Sequence, residues 1–375
     1  MWLTFQKGTI YMKKLVILLL VLTLLLSGCG CSKKPAETEP TTVPTTAPTT
    51  APTVAPTTAP TVAPTEPKEV YRHPLTGEVL EQPWNGQLVA VMVNNIRQSM
   101  PQHGLSQADI IYEIEEESTI TRNMAIFSDV SKVGTIGSIR STRTYFVSVA
   151  RSFDAYLVHC GTSVHARSGG YDSTGTKLSN WKDVDQQNSK FASAFFRDSD
   201  RYSSGYDWEH TLFTSGEKLT AAMKDQALSN PTPVFGFKEG IDLGGEAATE
   251  ITIKFKGTKT TTFTYDATTG LYTRSQHNGI SVDGGNNQVE TVKNVLAIYT
   301  KQWSCPQGHG HQYYDTVGSG EGYAATNGKI VKIKWSRATV EDPFVYTLED
   351  GSPLELDVGN SYIAVVGTKH PISYK

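Results

Sequence analysis

Between Ser32 and Pro67 the chain is almost wholly threonine, proline and alanine. Such a stretch has next to nothing to bury, so it cannot offset the entropy lost on ordering. Proline biases it towards the extended polyproline II form, which makes it a semi-stiff spacer rather than part of a fold. About 35 residues at ~3.1 Å each reach on the order of 100 Å at most. A hydrophobic core has to come from the residues that follow.

The residues before the spacer set a compartment. Lys13 and Lys14 form a basic start, and Leu15 to Leu26 is an apolar run with Thr23 its one polar residue. That run is short for a bilayer span and the right length for a signal peptide. It ends in Leu26-Ser27-Gly28-Cys29, the pattern of a bacterial lipoprotein signal: a branched apolar residue, two small ones, then cysteine. Small residues let the peptidase grip the chain, and the Cys29 thiol accepts the diacylglycerol. The plain alternative is a secretory signal with a chance cysteine. Met12 is a better start than Met1, because Met12-Lys13-Lys14 opens the signal directly. The expected order is a signal peptide over 1–28, then a lipid-anchored disordered linker over 29–68. Mature protein would begin at an acylated (palmitate-bearing) Cys29 on the outer face of the bacterial cytoplasmic membrane. Each buried methylene contributes about 0.8 kcal/mol, so two or more acyl chains anchor durably.

Composition narrows the function classes. The 375 residues carry a formal net charge of -3, which gives no basic surface for nucleic acid. Seventeen Tyr and 32 Gly favour strands and turns over long helices. Length allows about two domains. An N-terminal α/β domain over 69–230 and a C-terminal β-rich domain over 231–375 are expected. The fold class is α+β: a mixed α/β part, then a mostly antiparallel β part, behind the Pro/Thr/Ala-rich tether.

The first part turns on Ala108 to Ser163. Gln87 to Asn94 reads as a strand buried on both faces. Ile110–Ile114 and Ile120–Phe127 read as two more, joined as a hairpin over Glu115 to Thr119. Phe146, Val149, Ala150 and Phe153 fall at helical spacing, with Ser138 or Ser141 as the cap. Ala155 to His159 is a fourth strand, followed by small and polar residues where α/β folds place ligands. Thr214 and Glu217 have capping-box spacing ahead of another helix. From Pro231 onwards eight segments alternate as strands: 251–256, 261–265, 271–274, 295–300, 313–317, 329–335, 344–348 and 362–366. Asn327-Gly328 and Asp350-Gly351 mark hairpins between them.

Arg140 and Arg143 lie near the start of the first helix, where the dipole is already positive, and they need a negative partner. Glu113, Glu115, Glu116, Glu117 or a bound anion would serve. Glu113, Glu117, Arg122, Arg140, Arg143, His159, Ser163 and His210 form the candidate ligand cleft. The competing readings are a binding site for an anion or sugar, a carboxylate/His acid–base pair, and a structural ion-pair network. Cys160 beside His159 is a poor nucleophile dyad, since adjacent strand residues face opposite sides. Cys305, His309 and His311 lack a fourth metal ligand, so no metal is expected, and no cofactor. Cys160 and Cys305 could pair outside the cytoplasm. The tyrosines and tryptophans of the second part, Trp303 and Trp335 among them, read as core and cross-strand pairs before glycan platforms.

These residues resemble the YerB-like family of bacterial lipoproteins, whose function is unknown. The resemblance runs from about Pro74 to Val366. It rests on Pro74-Leu75-Thr76-Gly77, Val89-Ala90-Val91-Met92 with Asn94-Asn95, Gly104 to Ile110, and Tyr112-Glu113. It continues through Glu117, Ile120-Thr121-Arg122, Arg140-Ser141, Arg143, His159, Gly161, Ser163, Phe196-Arg197-Asp198, His210 and Gly318 to Tyr323. The chain departs from the family pattern at Ser118-Thr119, Cys160 and Glu209. The resemblance implies a two-part lipoprotein and supplies no activity. The expected function is a tethered binding or interaction module of the cell envelope. Its partners would be the membrane, through the anchor, and peptidoglycan or an envelope protein. The alternative is an envelope hydrolase using Glu117 or Glu113 with His159.

Overall fold

Alternation along the strand Val89–Asn94 (β1) sends Val89, Val91 and Val93 into one core and Ala90 and Met92 into another. This strand therefore lies in a sheet covered on both faces, as its continuous apolar run requires. The computed structural model describes residues 70–117, 119–168, 181–305 and 310–375. The signal, Cys29 and the spacer lie outside these residues, as does His309.

Eleven strands form the central sheet. Ile110–Glu115 (β2) and Thr121–Phe127 (β3) make the expected hairpin, and β3 runs antiparallel to β1. Tyr156–His159 (β4) is parallel to β1, and Asp183–Asp185 (β5) is parallel to β4. The other half of the sheet comes from the second part of the chain. Asn294–Thr300 (β9), Gly318–Thr326 (β10), Lys329–Arg337 (β11) and Val345–Leu348 (β12) precede Ser361–Gly367 (β13). Strand β13 lies between β9 and β2, parallel to both. The pairing among these later strands is therefore not wholly antiparallel. A second sheet of six strands includes Glu250–Lys254 (β6), Thr260–Asp266 (β7), Leu271–Gln276 (β8) and Ile372–Tyr374 (β14).

The fold is mostly β, broadly α+β, with short helices. Thr144–Ser152 (α1) packs Phe146, Val149 and Ala150 on one face of the central sheet, with Trp335 and Tyr346 in the same core. The opposite face carries Ile111, Ala125 and Tyr362 against Phe263 and Tyr272 of the six-stranded sheet. Val164–Ser168 (α2), Ser199–Ser203 (α3) and Gly216–Met223 (α4) complete the α-helices among the described residues, beside several single 3-10 turns. Two expected caps differ. Helix α1 starts after Arg143 with no side-chain cap, because the Ser141 hydroxyl donates to the Cys160 carbonyl at 2.9 Å instead. Helix α4 is capped by Ser215, which accepts from the Lys218 amide, and not by Thr214.

Candidate functional site

Strands β1 and β4 run parallel, and β3 runs back between β1 and β2. Asn94, Arg122, His159 and the residues after Glu115 therefore share one edge of the central sheet. The segment from Ser138 to Arg143 stitches that edge together. Its Arg140 amide donates to Met92, the Cys160 amide donates to Arg140, and the Thr142 amide donates to Gly161. This is the carboxyl edge of β1 and β4, where open α/β sheets place ligands.

Glu117, Arg122 and Arg143 are brought together there, with Glu116 between them. Arg122 bonds Glu116 and the Ser141 carbonyl. Arg143 holds Glu117 through Nε at 3.0 Å and reaches Glu116 at 3.3 Å. His311 meets Glu117 at 3.2 Å. Glu116 and Glu117 are thus the negative partners that Arg143 requires at the start of α1. Burial pushes Glu116 up to about 7 despite Arg122 and Arg143. Burial would also raise Glu117, but Arg143 and Arg122 hold it below the usual carboxylate range.

Glu113 is elsewhere. Two positions before Glu115 on β2, it points to the face covered by the six-stranded sheet, and it is fully buried. Its carboxylate accepts from Asn95, Thr121, Thr261 and Tyr362 at 2.7–3.0 Å. Arg274 meets it at 2.8 Å and Lys259 at 3.3 Å, and Arg274 also holds Glu290 at 2.9 Å. Burial alone would raise Glu113, but Lys259 and Arg274 hold it down to about 2. Lys259 has half a share in one anion. Burial therefore wins at that amine and lowers it to about 8. The sequence reading did not include Lys259, Arg274 or Glu290. The one local signal was Arg274 itself, which sits in phase with the inward Tyr272 and Gln276 of β8.

The remaining candidates form further groups on the edge. His159 is fully buried. Its Nδ1 is 2.9 Å from the Gly161 carbonyl, which can only accept, so Nδ1 donates. Asp183 lies 3.2 Å from Nε2 and Asp185 3.7 Å from Nδ1. Among the described residues these three have metal-ligand atoms within 4.8 Å of one another. The carboxylates meet opposite ring nitrogens, and Asp185 Oδ1 already accepts from the Gly161 and Gln187 amides at 3.0 Å. The arrangement is an imidazole clamped between two acids rather than lone pairs converging on one ion. Ser163 accepts from the Ala166 amide at 3.2 Å in the first turn of α2. His210 bonds Asn94 at 3.1 Å, and Arg140 pairs with Glu209 at 3.4 Å. Cys160 and Cys305 are free thiols.

Among the described residues, two sizeable cavities are lined by neither Glu117 nor Arg143. One of about 750 Å³ lies at the opposite sheet edge, against His73, Trp84, Asp109 and Ser128. One of about 460 Å³ lies beside the Glu113 cage, against Arg97, Thr119, Lys259 and His277.

Residues 75–229 match the N-terminal domain, and 251–363 the C-terminal domain, of a protein family of unknown function, DUF3048. The chain belongs to the DUF3048 family. The YerB-like resemblance read from the motifs holds. This DUF3048 chain is 28% identical over 303 residues to a Bacillus subtilis (strain 168) protein named "Putative lipoprotein YerB", covering 78% of this chain and 85% of that one. It is also similar to the crystal structure of the YerB protein from Bacillus subtilis. There the TM-score is 0.68 and the identity 26%, over 80% of this chain and 99% of the other.

Proposed function

We propose that this DUF3048 chain is a lipid-anchored lipoprotein of the cell envelope, facing out of the cytoplasm, whose folded part is a binding module. Leu26-Ser27-Gly28-Cys29 supports the anchor, and so does the name carried by the Bacillus relative. The spacer over 32–67 lets the folded part reach outwards from the membrane. Binding is favoured over hydrolysis by one observation: Glu113, Glu117 and His159, the groups that a Glu/His159 hydrolase would pair, each bond other partners and not one another. Glu113 is committed to Lys259 and Arg274, His159 to Asp183 and Asp185, and Glu117 to Arg143 and His311. A general acid or base has to stand within hydrogen-bond reach of the proton it moves.

Wild type grown with labelled palmitate should carry the label, and replacing Cys29 with Ala should abolish its incorporation. A Cys29→Ala chain that still takes up label, or a wild type that takes up none, would remove the lipid anchor from this reading. Purified peptidoglycan tests the module. Co-sedimentation without released fragments supports binding. Fragments released by wild type and not by Glu117→Gln would establish the hydrolase instead. Neither outcome would direct the search to a protein partner in the envelope.

A further inference from the structure

The cavity of about 460 Å³ lies between the loop after β1, the β2–β3 turn, the start of β7 and the turn at His277 and Asn278. Its volume falls within the range of small-molecule sites. Hydroxyl and amide side chains dominate its wall, including Gln98, Thr119, Thr258 and Asn278. No aspartate or glutamate lines it.

Two nitrogens at its floor have capacity to spare. Lys259 is 7% exposed. An ammonium has three donors. One goes to Gln276 Oε1 at 2.5 Å and one faces Glu113 at 3.3 Å. The third has no acceptor among the described residues. The Nε2 of His277 is buried and without a hydrogen-bond partner. Burial and then Lys259 bring that ring down to about 4, so it is neutral at pH 7.

Charge counting selects the ligand. In the cage below, Glu113 and Glu290 balance Arg274 and Lys259. Arg97, exposed at the rim, adds one positive charge with no acid on the wall. A monoanion matches that surplus, whereas a phosphate dianion would leave a buried excess of negative charge. We propose that this cavity binds its ligand through a single carboxylate group, held between Lys259 at the floor and Arg97 at the rim. The proposal rests on the reading of the folded part as a binding module. It names a chemistry two sources could supply, the C-terminus of a peptide or an acidic sugar. On this view Glu113 is a positioning residue that holds Lys259 in place, and it does not touch the ligand.

The test is calorimetric titration of the full chain in detergent at pH 7. Nα-acetylalanine and its amide form one pair of probes; N-acetylmuramate and N-acetylglucosamine form the other. In at least one pair the carboxylate should bind about tenfold or more tightly than its neutral partner, a difference of about 1.4 kcal/mol. The pair that discriminates identifies the source. Arg97→Gln, an exposed change that leaves the fold alone, should weaken the carboxylate about fivefold, and Lys259→Met should abolish its binding. Affinity should also fall between pH 7 and 9 as Lys259 loses its proton. Glu113 at about 2 and His277 at about 4 keep their charge state across that window, and Glu113 and Glu290 hold the Arg274 guanidinium protonated. Equal binding of charged and neutral probes would overturn the proposal. So would no binding up to about 50 mM, or wild-type affinity in Arg97→Gln. The titration needs neither wall nor membrane, so its failure leaves the anchoring and wall-binding readings standing.

Discussion

Glu113→Gln should destabilise the folded protein by about 3–5 kcal/mol, the usual cost of removing one partner from a buried charge group. The carboxylate is shared by Arg274 and Lys259 and takes four further hydrogen bonds. Neutralising it leaves Arg274 and Lys259 with Glu290 as their one remaining acid, a net positive charge in a cage that is almost wholly buried. Chemical denaturation with urea measures the loss. Acid adds a second readout. The folded carboxylate titrates at about 2, below its ordinary value of 4.5. A depressed acid contributes stability above the unfolded pKa, and that stability is lost as pH falls through the folded one. Wild type should therefore shed about 3 kcal/mol between pH 4.5 and 2 from this group. Glu113→Gln should lack that component. A variant with wild-type stability and wild-type acid sensitivity would show that the cage does not hold the two sheets together. Glu117→Gln is the contrast. Glu117 is 22% exposed, and Arg143 keeps Glu116, so its cost should stay near or below about 1 kcal/mol.

Gly216→Ala should cost about 3 kcal/mol by a different route. Gly216 opens α4, and its amide donates to the carbonyls of Val133 and Gly134. A Cβ there would lie 2.0 Å from the Val130 carbonyl oxygen and 2.3 Å from that of Val133. Both are backbone atoms and cannot rotate away. The helix would have to lift, drawing Leu219 and Met223 out of the core. Gly134→Ala, where the added carbon meets nothing within 4 Å, should change stability by no more than about 0.5 kcal/mol. Equal urea midpoints for the two variants would mean that this close approach is not rigid.

Strands with one wet face were the easiest to read. In β11 the buried Ile333, Trp335 and Arg337 alternate with exposed residues, and the expected segment falls within the observed one. Strand β10 was missed, although it is nine residues long. Gly318, Gly320 and Gly322 hide its pattern. At Gly320 and Gly322 a side chain would come 2.5 Å from the Tyr299 and Ala297 carbonyls, so close strand approach replaces side-chain packing. The site residues were legible as a chemical type and as a sheet edge, but not as groups. Period-two alternation separates Glu113 from the Glu116–Arg122 face. The partners of Glu113 lie up to 249 positions further on, so no local spacing announces them. The expected serine cap on α1 failed because Ser141 is drawn to Cys160, a contact that only the crossing of two chain segments creates.

Strand β13 closes the gap beside β2, and 249 positions separate Glu113 from its Tyr362 partner. A ribosome working at about 5–20 residues per second needs on the order of 10–50 s to make that interval. Throughout that time β2 presents a row of open amides and carbonyls on one side, the kind of edge that recruits foreign strands. Completion therefore depends on a segment synthesised long after the hairpin. A nonsense codon or a protease nick shortly before Ser361 would leave the earlier hairpin intact yet prone to aggregate. Cellular quality control would meet such a truncated chain as a nearly finished sheet with its keystone missing.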